Sequence, residues 1–111
     1  MIGIEREKVG ALPVWAWAAL SGFAIWLLYV ITLGPTTAFW DTSEYIATAH
    51  ILGVPHPPGN PLFVIVGKAW LLLTAWTGLE VAMRINLLSA TVSAGAAVFW
   101  FLAVMRIWAH F

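Results

Sequence analysis

The sequence predicts an all-α membrane protein in which two transmembrane helices are joined by a loop that carries short interfacial helices. Of its 111 residues, 62% are hydrophobic and 9% are charged, and the mean hydropathy is +0.92. Soluble domains carry about 25% charged residues. Two apolar runs are each long enough to cross a hydrocarbon core of about 30 Å. Composition and run length therefore both favour a chain that lies in a membrane.

The first predicted transmembrane helix covers residues 11–33. Pro13 is tolerated in its first turn, and Gly34-Pro35 ends it. The charged residues at positions 5–8 resemble the front of a signal peptide, but the apolar run is longer than a signal core, so we expect a retained anchor. Trp26 lies too deep for an interfacial aromatic belt and is expected to pack against another helix.

The second predicted transmembrane helix covers residues 83–107. Small residues recur in it at four-residue spacing, at Ser89, Ser93 and Ala97, with Ala90, Ala94 and Gly95 beside them. Small residues at that spacing let two helix backbones approach closely in lipid. The alternative is a helix that is merely rich in alanine.

Between these runs, residues 61–76 form a shorter apolar segment with Lys68 at its centre. A lysine at the middle of a span costs about 2.5–3.5 kcal/mol on insertion scales. A helix along the membrane interface avoids this cost, because the lysine can reach the head groups. We therefore expect an interfacial helix, and a third span is the alternative.

Basic residues lie at both ends and also between the two runs, at Lys68 and Arg84, and their distribution slightly favours both ends of the chain on the cytoplasmic side of the cell membrane. Residues 1–10 and 108–111 are then cytoplasmic, and the loop 34–82 is extracytoplasmic, in a periplasm or a lumen. The formal net charge is zero, so no basic surface indicates a nucleic-acid partner. Cysteine is absent, which excludes disulfides and thiolate metal sites.

The polar residues concentrate after the first run, in the stretch "WDTSEYIATAHILGVPHPPGNPLF". Asp41 and Glu44 have the spacing of a capping box that starts a helix from Thr42 to about Leu52. Asp41, Glu44 and Tyr45 share one side of this helix. Capping and catalysis are both open for the two acids, and the two roles are compatible.

The histidines of this stretch, His50 and His56, are candidate ligands for a metal ion. His50 is turned about 180° from Asp41 on the helix, and His56 lies beyond its end, so the spacing disfavours zinc. Loose binding of a divalent cation by Asp41 or Glu44, together with a phosphate, is more compatible with the pattern. The loop "GVPHPPGNP" is stiff, which suits a segment that holds side chains near a ligand.

The order of these parts, completed by "RINLLSA" at the start of the second run, resembles the N-terminal part of a family of multi-pass membrane proteins. This family, formerly a domain of unknown function, is linked to protein O-mannosyltransferases and to the GT-C class of glycosyltransferases. The resemblance covers about residues 11–107. It implies that the chain is a fragment of a GT-C type fold with many spans.

The resemblance also implies a transferase that passes a sugar, mannose by analogy, from a polyprenyl phosphate to a protein or glycan acceptor on the outer membrane face. Asp41 would be the catalytic base and Glu44 its partner or a second acid. The candidate substrate-binding residues are Tyr45, His56, Asn60 and Arg84. No cofactor is implied with certainty, and a divalent cation is possible.

Members of that family are several hundred residues long, so this chain alone is expected to be inactive and to need the remaining transmembrane helices of a longer protein as partners. The alternative function is that of a small non-enzymatic membrane protein whose loop binds lipid or a partner helix. The acid pair at a span exit, followed by a shaped loop, favours the transferase.

Overall fold

The computed structural model describes residues 8–57 and 59–110, and its 71% helix content confirms the all-α class. The elements in chain order are β1 Lys8–Val9, β2 Leu12–Pro13, α1 Val14–Ile31, α2 Thr42–Ile51, α3 Pro61–Leu73, a 3₁₀ turn Ala75–Thr77 and α4 Val81–Trp108. Most of the predicted cytoplasmic segment 1–10, and the last residue of the segment 108–111, lie outside the described residues.

The chain divides into two compact parts. One part, which we call the helix pair, contains α1 together with α4 from Ala90 onward. The other, which we call the loop unit, is Thr32–Ser89 and contains α2, α3 and the start of α4.

Both predicted transmembrane segments are helices long and apolar enough to cross a membrane. α1 has 18 residues and α4 has 28, which correspond to about 27 Å and about 42 Å. α1 begins at Val14, three residues later than predicted, because the preceding residues form the β1–β2 hairpin around Gly10 at φ 66°. Pro13 therefore ends a strand and does not start the helix. The side of the membrane on which each end lies stays a prediction.

In the helix pair, the two helices approach closely at small residues. Ala18, Gly22 and Ala94 are buried, and a Cβ added to Gly22 would overlap Cγ2 of Val98. Trp26 donates from Nε1 to Thr91 Oγ1 at 3.1 Å, which confirms that it packs against another helix.

Close helix packing is thus observed, but the predicted row of small residues is wrong by one position. Ser93 is exposed and Ala97 is half-buried, whereas Ala90 and Ala94 are both buried. Alanine can be buried without a polar group to satisfy, whereas a buried serine needs a hydrogen bond.

The core of the loop unit is formed by Ile46 and Ala49 of α2, Leu71 of α3 and Ile85 of α4. α2 and α3 lie close together because Gly67 has no side chain. A Cβ at that position would come within 2.9 Å of the Ala49 Cβ.

α3 ends at Leu73, and its 13 residues cover about 20 Å, too short for a span of about 30 Å. The position of this helix along the membrane interface stays a prediction. Lys68 donates from Nζ to the His50 carbonyl oxygen at 2.5 Å. This lysine therefore binds the last turn of α2. The sequence had suggested a different contact for it, with lipid head groups.

Two sets of hydrogen bonds hold the start of α4 in the loop unit. Trp70 Nε1 donates to the Arg84 carbonyl oxygen at 2.7 Å, and Arg84 Nη1 donates to the Leu71 carbonyl oxygen at 2.9 Å. Asn86 Nδ2 donates to the carbonyl oxygens of Gly34 and Thr36. These bonds fix the first turns of α4 against α3 and against the segment that leads into α2.

Candidate active site

The candidate active site lies where α2 begins and the proline-rich loop returns to it. His56 Nδ1 donates to Glu44 Oε2 at 2.6 Å, and the His56 backbone N–H donates to Glu44 Oε1 at 2.6 Å. On the other side of the imidazole, Nε2 lies 3.7 Å from Asp41 Oδ2. One histidine therefore stands between two carboxylates, which we call the acid–histidine cluster.

Local sequence explains how these three residues meet. Asp41 and Glu44 are three positions apart, so they lie on one side of α2. Leu52 ends α2 in the left-handed conformation at φ 58°, and the following Gly53 N–H bonds to Thr48 O at 2.9 Å. The chain then turns back along the helix, and His56 reaches the first turn of α2.

The predicted capping box is wrong. Asp41 occupies the N-cap position, but its side chain makes no capping hydrogen bond, and its backbone has φ −77° and ψ 3°. An N-cap side chain needs the extended backbone region to reach the next turn. Glu44 does not reach back either, because both of its oxygens accept hydrogen bonds from His56.

The cluster is open to solvent and electrostatically coupled. The side chains are 58% exposed for Asp41, 37% for Glu44 and 48% for His56. The hydrogen bond from the His56 side chain lowers the pKa of Glu44, and the bond from the His56 backbone adds to this effect. The hydrogen bond to Glu44 raises the pKa of His56, as do the charges of Glu44 and Asp41. The imidazole is therefore protonated over a wider pH range than a free histidine.

Tyr45 and Asn60 continue the site next to the cluster. Asn60 Nδ2 donates to the Tyr45 hydroxyl oxygen. The Tyr45 ring lies edge-on to His56, with ring centroids 6.4 Å apart, and edge-on to Phe63 at 5.3 Å. Five of the six predicted site residues are therefore connected through contacts: Asp41, Glu44, Tyr45, His56 and Asn60.

A cavity of about 370 Å³ adjoins these residues within the loop unit. It is lined by Thr42, Tyr45, Ile46, Asn60, Phe63, Ile85, Asn86 and Ser89. Thr42, Phe63, Asn86 and Ser89 are not among the site residues predicted from the sequence. For Asn86 a signal existed, since it is a polar residue at the start of an apolar helix and belongs to the motif "RINLLSA".

Arg84, the sixth predicted site residue, does not join the others in the described part of the chain. Its guanidinium bonds to the Leu71 carbonyl, and its Nε is buried without a hydrogen-bond partner there. Its contacts are those of a residue that fixes α4 to α3. His50, as expected, lies outside the cluster.

A metal ion is chemically compatible with the cluster. Asp41, Glu44 and His56 each offer one ligand atom, and these atoms lie within 4.8 Å of one another. Two carboxylates and an imidazole suit a divalent cation. The position of His56 beyond the end of α2 suggested that it lies away from the two acids. This expectation is wrong, because the loop folds back onto α2.

Comparison with known proteins decides the family. The profile of the family described as "Protein O-mannosyl-transferase TMEM260 N-terminal domain" matches residues 41–111. The chain belongs to this family. The match begins at Asp41 and includes every residue of the candidate site. No solved structure matches the chain.

Two relatives are much longer than this chain. "Protein O-mannosyl-transferase tmem260" of Dictyostelium discoideum is 35% identical over 78 residues, which cover 70% of this chain and 10% of that protein. "Protein O-mannosyl-transferase TMEM260" of Mus musculus is 40% identical over 103 residues, which cover 88% of this chain and 14% of that protein. The chain therefore spans about a tenth to a seventh of the length of these relatives.

Proposed function

We propose that the chain is the N-terminal segment of a glycosyltransferase that moves a sugar from a polyprenyl phosphate to a hydroxyl acceptor on the extracytoplasmic face. The names of the relatives support mannose as the sugar. The observation that carries the proposal is the acid–histidine cluster, in which an exposed carboxylate lies 3.7 Å from an imidazole that a second carboxylate holds in place.

The two carboxylates have different chemical roles in this proposal. Glu44 is occupied by two N–H donors of His56, so it is poorly available as a base and acts as a positioning residue. Asp41 makes no capping bond, and its side chain is 58% exposed. Asp41 is therefore the carboxylate that an incoming acceptor hydroxyl can reach.

The reaction would proceed by displacement at the anomeric carbon. Asp41 takes the proton of the acceptor hydroxyl, whose oxygen forms a bond to the anomeric carbon. The bond from that carbon to the phosphate oxygen breaks, and its electron pair leaves with the polyprenyl phosphate. The positive charge of the His56 imidazolium, which lies between the two carboxylates, reduces their repulsion of the anionic phosphate donor.

The test is Asp41→Asn in the complete protein, assayed in membranes for transfer of labelled mannose from polyprenyl-phosphate mannose. Loss of a general base costs about 10²–10⁴-fold in rate. Folding should persist, because the Asp41 side chain caps no helix N–H. Glu80→Gln is the matched control, since Glu80 is an exposed acid of the same loop unit. Near-normal transfer by Asp41→Asn would overturn the assignment of the base.

The second candidate is a non-enzymatic membrane protein that binds lipid through this region. Phe39 and Trp40 favour it, because their side chains are 89% and 93% exposed directly before Asp41, and exposed aromatic residues are common at membrane interfaces. In that case the complete wild-type protein would show no transfer, and Phe39→Ser with Trp40→Ser would weaken its binding to phospholipid vesicles.

A further inference from the structure

We propose that Asn86 is a positioning residue for Asp41, because it fixes the segment that delivers this carboxylate to the acid–histidine cluster. The inference rests on the proposed function and adds a residue that acts through another residue. Asn86 lies in the second turn of α4, and Asp41 lies directly before α2. Both belong to the loop unit. The link between them is the backbone that begins at Gly34 and Thr36, to which the Asn86 side chain is bonded.

This connecting segment is exposed along its length. All seven residues from Gly34 to Trp40 are exposed, and they belong to no helix or strand. Burial of apolar surface, which stabilises the core of the loop unit, therefore contributes little to the position of the segment. Its conformation depends on hydrogen bonds and on backbone preferences.

The Asn86 carboxamide binds the segment at a bend around Pro35. Its Nδ2 donates to the carbonyl oxygens of Gly34 at 2.9 Å and of Thr36 at 3.1 Å, the residues on either side of Pro35. Proline restricts its own backbone and that of the residue before it, so this bend is stiff. A carboxamide nitrogen carries two N–H groups, and one side chain can therefore bond to both carbonyls. Aspartate has the same shape but no donor when ionised.

Beyond this bend, Trp40 has an unfavourable backbone conformation. Its φ is 63°, in the left-handed region, where Cβ approaches the following carbonyl oxygen. Trp40 is also 93% exposed, so little side-chain packing compensates. Thr42 Oγ1 donates to the Phe39 carbonyl oxygen at 2.9 Å, which closes a turn around Trp40 and Asp41. Residues other than glycine keep such a conformation only where their surroundings impose it.

The turn determines where the Asp41 carboxylate lies. The Asp41 carbonyl oxygen accepts from the Tyr45 N–H at 3.0 Å, so α2 holds the C-terminal side of this residue. The incoming segment sets the N-terminal side. If the segment is released, Trp40 can return to a negative φ. The Asp41 side chain, which makes no capping bond, then moves relative to His56 Nε2, from which it lies 3.7 Å away.

The first test compares Asn86→Ala with Ser93→Ala in the complete protein, in membranes with polyprenyl-phosphate mannose as donor and matched protein levels. Ser93 is the control because it is an exposed polar residue of the same helix, outside the cavity lining. Asn86→Ala should lower kcat at least about tenfold, since a displaced base loses its geometry, and leave the KM for the donor unchanged. A raised KM with unchanged kcat would make Asn86 a substrate contact and overturn the inference.

Trp40→Gly provides a rescue that a merely structural role of Asn86 would not show. Glycine adopts the left-handed conformation without a steric penalty, so the turn then depends less on Asn86. The loss of kcat caused by Asn86→Ala should be at least about fivefold smaller in the Trp40→Gly background than in the wild-type background. Equal losses in the two backgrounds would overturn the inference, even if Asn86→Ala also lowers the thermal midpoint.

A measurement that needs no transfer separates this inference from the proposed function. A nitroxide on Ala38→Cys, in a cysteine-free form of the complete protein, reports the mobility of the segment by EPR. Asn86→Ala should shorten the correlation time of the label, and Ser93→Ala should not. An unchanged correlation time overturns the inference, and the proposed function stays intact if the wild-type protein transfers mannose. Increased mobility, in a protein whose wild-type form shows no transfer, overturns the proposed function but not the hold of Asn86 on the segment.

Discussion

The contacts within the helix pair differ from the contacts within the loop unit. In the helix pair, α1 and α4 meet at Gly22 and Ala94, and the indole of Trp26 bonds to Thr91. In the loop unit, side-chain hydrogen bonds join successive segments, as between Glu44 and His56. Both parts contain close packing at a glycine, but side-chain hydrogen bonds between successive segments are the additional feature of the loop unit with its short helices.

Helix length explains this difference. Isolated helices shorter than about 12–15 residues are marginal in water, and α2 and α3 have 10 and 13 residues. The loop unit therefore depends on contacts between its segments, and the same contacts fix the side chains of the candidate active site. In the loop unit, residues that stabilise the fold also belong to the candidate active site. The contacts described in the helix pair involve none of the site residues.

The largest effect is expected from breaking the contact between Glu44 and His56, which stabilises the loop unit and positions the imidazole. Glu44→Ala removes both acceptors of His56, so the loop loses its anchor to α2 and the imidazole is misplaced. A misplacement of about 1 Å can cost about 10²-fold in rate, and we expect a loss of kcat of that order in the membrane transfer assay. Glu44→Gln keeps one neutral acceptor and should lose less.

Glu80→Ala is the control for this series, because Glu80 is an exposed acid outside the cluster. If Glu44→Gln is as inactive as Asp41→Asn while His56 keeps its position by NMR, then Glu44 is the base and the roles of the two acids are reversed.

The next effect tests close packing in the helix pair. Gly22→Ala places a Cβ onto Cγ2 of Val98, and a β-branched side chain in a helix has little rotamer freedom to move away. Such overpacking costs about 1–3 kcal/mol, which should appear as a lower thermal midpoint in detergent. Gly95→Ala is the matched control, since nothing lies within 4 Å of its added Cβ.

Gly95→Ala should leave the protein equally or more stable, because alanine is favoured over glycine in a helix by about 0.5–1 kcal/mol. The double variant Gly22→Ala with Val98→Ala should recover part of the lost stability. Equal midpoints for Gly22→Ala and Gly95→Ala would contradict the close approach of α1 and α4.

A smaller effect is expected for the corresponding glycine of the loop unit. Gly67→Ala brings its Cβ to 2.9 Å from the Ala49 Cβ, so α2 and α3 must separate by a few tenths of an ångström. We expect a cost of about 1 kcal/mol and a rise in the KM for the donor, because α2 and α3 carry site residues. Adding Ala49→Gly should restore both quantities, and a normal KM in a destabilised Gly67→Ala protein would separate packing from the site.

The smallest effect is a shift in titration. Because Glu44 holds the imidazolium, the pKa of His56 should lie above its ordinary value of 6.5, and Glu44→Gln should lower it, as followed by ¹⁵N NMR of labelled histidine in detergent. A His56 titration that Glu44→Gln leaves unchanged would contradict the observed contact.

The contact between Glu44 and His56 should make the stability of the loop unit depend on pH. The stabilisation from His56 is fully present below pH 6.5 and is lost as the pH rises through its raised pKa. The stabilisation from Glu44 is present above its ordinary pKa of 4.5 and is lost as the pH falls through its lowered pKa. The pairing should therefore be strongest between about pH 4.5 and 6.5.

Sequence alone predicted what depends on local pattern. Hydropathy located α1 and α4 within three residues at their N-terminal ends, and helical periodicity placed Asp41 and Glu44 on one side of α2. The β1–β2 hairpin was missed because two-residue strands have too little periodicity to detect.

Contacts made across the proline-rich loop could not be predicted from spacing. The return of His56 to Glu44 depends on the left-handed Leu52 and on the bond from Gly53 N–H to Thr48 O, and the residue types fix neither. The capping box failed for the same reason, because a tertiary partner took the carboxylate that the local pattern assigned to the helix end.

Sequence separation sets the order in which the two parts of the chain can form during synthesis. Three contacts of the loop unit join residues 12, 15 and 18 positions apart: Glu44 with His56, Tyr45 with Asn60, and His50 with Lys68. In the helix pair, Trp26 must wait for Thr91, 65 positions later. A ribosome adds about 5–20 residues per second, so α2 and α3 can pair about 1–5 s before Thr91 exists. The acid–histidine cluster can thus form on the nascent chain before α1 has met α4.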